Sequence, residues 1–141
     1  MEKIISQLLI AFTIFGIRGC FEGFIFDSEK GRENENLIHR LGTVLVAVYY
    51  LSIFDFTLTG FIRICSMHLT FFYVHLGTYH QTRHALNEKV YPLGFKDWRP
   101  STSKSWWDNY VFKYAPLTYR VRLILFIIGT IIYIWTYYFN F

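Results

Sequence analysis

From Leu41 to Tyr79 only Asp55, Arg63, His68 and His75 interrupt thirty-nine residues of otherwise uncharged, largely apolar sequence. A hydrocarbon core of ~30 Å is crossed by about 20 helical residues, so a run of this length predicts two spans joined by a tight turn. Placing the turn around Thr57 to Gly60 gives spans over 41–57 and 61–79. An earlier apolar segment runs from Ile4 to Phe26 and carries no charge until Arg18 and Glu22. Those two residues stand four apart, on one helical face, and reduce each other's cost near the membrane boundary. The last segment, Val121 to Tyr138, starts between Arg120 and Arg122 and ends in the aromatic belt Tyr133, Trp135, Tyr137 and Tyr138. The pattern predicts an all-α integral membrane domain of four transmembrane helices, over 4–26, 41–57, 61–79 and 121–138. A removable signal peptide at the N-terminus is disfavoured by Glu2 and by the lack of a small-x-small cleavage pattern before Arg18.

Two polar connections separate these segments. Residues 27–40 contain Gly31, both charge signs and, from Asp27 to Glu35, no large apolar residue, as a solvated loop does. Residues 81–119 hold all three prolines and three of the four tryptophans. Their first part can extend the third helix outward until Tyr91-Pro92, since proline disfavours helix at the residue before it. Gly94 to Pro100 has neither helical nor strand period. Ser105-x-x-Asp108 has the form of a capping box and predicts a short interfacial helix from Trp106 to about Tyr114, with Trp107, Val111 and Tyr114 on one face.

Composition strengthens the membrane reading, because 53% hydrophobic and 21% aromatic residues exceed what a 141-residue soluble core needs. Charge then sets orientation. Twelve of the fourteen Lys and Arg residues fall in or beside the two longer connections, leaving Lys3 and Arg63 opposite. By the positive-inside rule both connections are cytoplasmic and both termini lie outside. Cys20 and Cys65 have no CxxC or paired spacing and are expected to be packing thiols.

This topology brings scattered polar residues to one depth at the cytoplasmic boundary: Glu22, Asp27, His39, His75, His80 and His84. Imidazole and carboxylate are ligands for zinc or iron, and His80-x-x-x-His84 puts two rings on adjacent turns, although no HExxH is present. At about 100° per residue His75 and His68 share a face from which His80 and His84 are turned away, so two groups are expected rather than one. For His80 and His84 the plainer expectation is an exposed pair on a helix leaving the membrane. Arg18 with Glu22, and Asp55 with Arg63 across the outer turn, are expected to be structural ion pairs.

Basic and aromatic residues interleave at Lys96, Trp98, Arg99, Lys104, Trp106 and Trp107, with Lys113 beyond them. Such a pattern can stack on nucleic acid. Tethered between two spans, it fits anionic lipid headgroups better, with tryptophan at headgroup level, and no nucleic-acid partner is expected.

The run His75-x-x-x-Tyr79, Arg83-x-x-Leu86-Asn87, Tyr91-Pro92-x-Gly94-Phe95, Ser101-Thr102-Ser103 and Arg122-Leu-Ile-Leu-Phe-Ile-Ile-Gly129 resembles small uncharacterised polytopic membrane proteins of bacterial and phage genomes. It covers roughly the C-terminal half. The resemblance implies a bacterial or phage-encoded inner-membrane protein and brings with it no activity, ligand or catalytic residue. The sequence thus leads to a non-catalytic membrane effector, assembly factor or complex subunit without a cofactor, possessing other membrane subunits or copies of itself as partners. Its rivals are a metal-dependent membrane enzyme of lipid hydrolase type, using zinc or iron at Glu22, His39 and His75 with His80 or His84, and an oligomeric, holin-like channel.

Overall fold

The structure, a computed structural model, describes residues 1–27, 35–89, 91–97 and 117–138. Among these residues the chain is all-helical, with α1 (Glu2–Asp27), α2 (Glu35–Ile53), α3 (Leu58–Leu86), a 3-10 turn (Gly94–Lys96) and α4 (Tyr119–Tyr138). Three helices, over Glu2–Ile25, Glu35–Ile53 and Tyr119–Tyr138, are long and apolar enough to cross a membrane. The expected helix at Trp106 to Tyr114 lies outside the described residues.

Local chemistry explains where the boundaries differ from expectation. The turn between α2 and α3 covers residues 54–57, earlier than the expected Thr57 to Gly60. Thr57 is the cap: its backbone is extended and its hydroxyl accepts a 3.0 Å hydrogen bond from Gly60 N, so the helix is under way before the glycine. Gly60 instead serves packing, since a Cβ there would collide with the Asp55 backbone. At its other end α3 stops at Leu86, short of Tyr91-Pro92, where the Asn87 amide caps Arg83 O at 2.8 Å. Helix α2 begins at Glu35, within the segment expected as loop, and continues into the apolar run without a break.

The helix with the most polar sequence lies at the centre. With 29 residues, α3 is ~43 Å long, and it packs against α1 on one side and α4 on the other. Side-chain pairs give the directions. Gly16, Gly19 and Gly23 climb α1 beside Val74, Thr78 and Tyr79, so α1 and α3 run parallel. Gly129 sits against Ser66 and Thr70 while Thr136 meets Arg63, so α4 runs antiparallel to α3. Helix α2 leans on α1 and touches α3 sparsely. Buried Phe15, Tyr49, Met67 and Tyr133 form the core, with Phe15 edge-on to both Tyr49 and Phe71.

Close approach of the backbones needs small groups and satisfied hydroxyls. Ser66, Thr70 and Thr78 each return their hydroxyl to a carbonyl of their own helix, at 2.8, 2.8 and 2.9 Å. Their hydroxyls are therefore satisfied where α1 and α4 press against α3, and small residues of this kind let helix backbones approach closely.

The segment after α3 folds back on it. Gly94, at φ +54°, supplies a left-handed backbone conformation that lets the chain reverse. Phe95 then lays its ring on Gly77, and its amide donates to Gln81 Oε1 at 3.0 Å.

Candidate functional site

Glu22 is the hub of the cytoplasmic-side cluster expected from the sequence. Its Oε1 lies 2.6 Å from Arg18 Nη2, the pairing one turn back along α1. Its Oε2 lies 3.0 Å from His75 Nε2 on α3, a close polar contact without the alignment of a hydrogen bond. His39 on α2 is more distant, with Nδ1 3.9 Å from Oε1, and its other nitrogen is 3.9 Å from Glu35. Three helices thus converge on one carboxylate. A carboxylate taken from water needs such company, since its uncompensated burial is costly.

Arg18 holds the cluster together. While Nη2 meets Glu22, Nη1 donates to His39 O at 2.9 Å and to Thr43 Oγ1 at 2.8 Å, tying α1 to α2. The side chain has room because residue 42 is glycine, where a Cβ would lie 2.6 Å from Arg18 Cδ. On the α3 side the His75 ring stacks on Phe71 at 4.4 Å, and Phe71 stacks in turn on His68, whose Nδ1 is 3.2 Å from Tyr50 OH. Gly42, Thr43, Tyr50 and Phe71 went unnoticed as partners in the sequence. Their only trace there is a small, polar or aromatic residue within a run of aliphatics.

His80 and His84 belong to a second group, and neither fits an exposed pair. His80 is 1% exposed, its ring 4.7 Å from that of Tyr91, and His84 Nδ1 lies 2.9 Å from Tyr91 O. The cause is the fold-back of Tyr91 to Asp97, which covers the extension of α3 that the sequence alone leaves in solvent. Arg83 reaches Tyr79 and Tyr91 hydroxyls at 2.8 and 3.3 Å, and fully buried Arg122 donates to Phe95 O and Asp97 O at 3.2 and 2.7 Å. This group locks the 91–97 segment between α3 and α4.

At the other end of the bundle Arg63 Nη1 is 2.9 Å from Asp55 Oδ2. The guanidinium also donates to Thr136 on α4 and lies 4.5 Å above the Tyr137 ring, so the turn between α2 and α3 is clamped to α4. The Thr57 hydroxyl bond, helped by the Arg63 charge, holds the Asp55 carboxyl below its ordinary value. A depressed folded value means stability that is present above the unfolded value of 3.8 and lost as pH falls through the folded one. Melting temperature in detergent should therefore drop in acid by a few degrees less in Asp55→Asn than in the unaltered protein. Equal acid sensitivity in both would show that the clamp does not contribute.

Of the expected headgroup contacts, Lys96 is exposed on the 3-10 turn. Trp98, Arg99, Lys104, Trp106, Trp107 and Lys113 lie outside the described residues, and Asp27 closes α1. Among the described residues no three His, Cys, Asp or Glu side chains are placed to hold a metal ion. Both cysteines are exposed and free. Comparison with protein-family models, curated proteins and solved structures finds no match.

Proposed function

We propose that the chain is a four-span membrane protein that acts without catalysis, as an effector, assembly factor or subunit of a larger membrane complex. The observation that carries this reading is the engagement of Glu22. Its two oxygens face Arg18 at 2.6 Å and His75 at 3.0 Å, so the one carboxylate at the convergence of three helices is neutralised from within. The fourth span is α3: it is long enough, it lies between apolar neighbours, and Ser66, Thr70, His75, His80 and Arg83 are buried against its surroundings instead of facing lipid. Both longer connections then face the cytoplasm of a bacterial or phage-infected cell and both termini lie outside, as the positive charges direct. The basic, tryptophan-rich stretch from Lys96 to Lys113 rests on anionic headgroups of that leaflet.

The rival reading, a metal-dependent enzyme of lipid hydrolase type, draws on the same convergence of Glu22, His39 and His75. Metal analysis separates the two. Detergent-purified protein should carry no stoichiometric zinc or iron, whereas about one equivalent, lost in His75→Ala, would replace the proposed function by the enzyme. Orientation is checked in intact cells with cysteines introduced at Ser28 and Ser103. Both should resist an impermeant reagent added outside, and labelling of either would overturn the four-span topology.

A further inference from the structure

Between α2 and α3 runs an open-sided groove of about 260 Å³, lined by Arg18, Thr43, Val46, Ala47, Tyr50 and Phe71. It exists because α2 leans on α1 and leaves α3 largely uncovered along this line. Tyr50 closes the outer end through its contact with His68, and Arg18, held by Thr43 and His39, closes the floor at the inner end. Thr43 and Ala47 are exposed, so the groove opens sideways, on the helix whose Val44 and Val48 also face outward.

We propose that this groove holds one acyl chain of an anionic phospholipid, with its phosphate beside Arg40 and His39. The inference rests on the chain's spanning a membrane. Three observations support this occupant over others. The walls between Tyr50 and Thr43 are apolar side chains, and at the depth of a membrane-spanning helix the species available to fill such a space is hydrocarbon. Tyr50 to Thr43 covers ~10 Å of helix, a length suited to part of a lipid tail and too short to seat a second transmembrane helix along its length. One turn earlier on the same side of α2, at the level where headgroups begin, stand His39 and Arg40. Arg40 is exposed and makes no ion pair among the described residues, whereas Arg18 is already answered by Glu22. Among the described residues, a positive charge without an ion pair thus stands one turn below the groove by helix register. Glu35 shares that level and approaches only His39.

Native mass spectrometry of the full chain in mild detergent, titrated with phosphatidylglycerol or phosphatidylcholine, tests this. One phosphatidylglycerol per chain should be retained, about tenfold more firmly than phosphatidylcholine. Ala47→Phe places a ring in the groove and should abolish retention of both lipids while leaving the melting temperature unchanged, because Ala47 is exposed. Should that variant fail to fold, Ala47→Leu, a smaller addition that narrows the same groove, serves in its place. Arg40→Gln should keep the bound lipid but lose the preference for the anionic one. Retention unaltered in the filled variant, equal retention of the two lipids by the native chain, or a change of oligomeric state in place of lipid loss would each overturn the proposal. Release of the protein from membranes by alkaline carbonate would sink the membrane reading itself. Firm membrane association with an unaffected lipid count would sink the groove alone.

Discussion

Glu22→Gln is expected to lower the stability of the protein by about 1.5–3 kcal/mol, the loss seen when a partly buried charge loses its charged partner. The neutral amide keeps the shape of the side chain but leaves the Arg18 guanidinium facing a group that cannot balance its charge. Arg18 retains two neutral acceptors, His39 O and Thr43 Oγ1, which sets a floor to the damage. Because His75 contacts the same carboxylate, His75→Ala should not add to Glu22→Gln: the double variant should be less destabilised than the sum by about 1–3 kcal/mol. His80→Ala, in the separate group under Tyr91, should add. Denaturant or thermal unfolding in detergent measures all four variants. Additive losses for Glu22 and His75 would mean that the 3.0 Å contact contributes nothing. Coupling alone does not imply an enzyme, since a purely structural ion cluster couples its members too, so bound metal remains the separate readout for that question.

Gly19→Ala should cost about 1–3 kcal/mol or more, as overpacking at a fixed helix contact does. A Cβ at residue 19 would drive into the Thr78 hydroxyl and the His75 carbonyl, and part of that obstacle is backbone, which cannot swing aside. The consequence reaches the site, because His75 would be pushed from Glu22 as the helices separate. Gly16→Ala is the contrasting case. Its Cβ would meet Thr78 Cγ2 and Val74 Cγ1 at 3.7 and 3.9 Å, ordinary contacts, so the substitution should be neutral or stabilising by up to about 1 kcal/mol from helix propensity. A pair of melting curves decides the matter. If both alanines are tolerated equally, α1 and α3 do not touch along Gly19 and Gly23.

The sequence by itself determined what local chemistry controls. Apolar run length marks the helical segments, the four-residue spacing of Arg18 and Glu22 makes their contact, and a short turn brings Asp55 within reach of Arg63. Angular spacing along α3 separates His75 from His80 and His84, and the structure places them in different groups. What only the tertiary structure decided is which neighbour each face meets. Periodicity reports that a helix has a polar side, not whether that side turns to water, to a loop or to another helix. So α3, the least apolar helix, lies at the centre because its polar side chains find partners there: His75 with Glu22 on α1, His68 with Tyr50 on α2 and Arg63 with Thr136 on α4. His80 is buried because the segment Tyr91 to Asp97 folds back over it, an event set by the backbone angle of Gly94 and by the Phe95 ring seated on Gly77, neither of which the periodicity of α3 reports. Glu22 meets His75 because glycines let two parallel helices approach, and a distance between helix axes has no signature in the pattern of either helix alone.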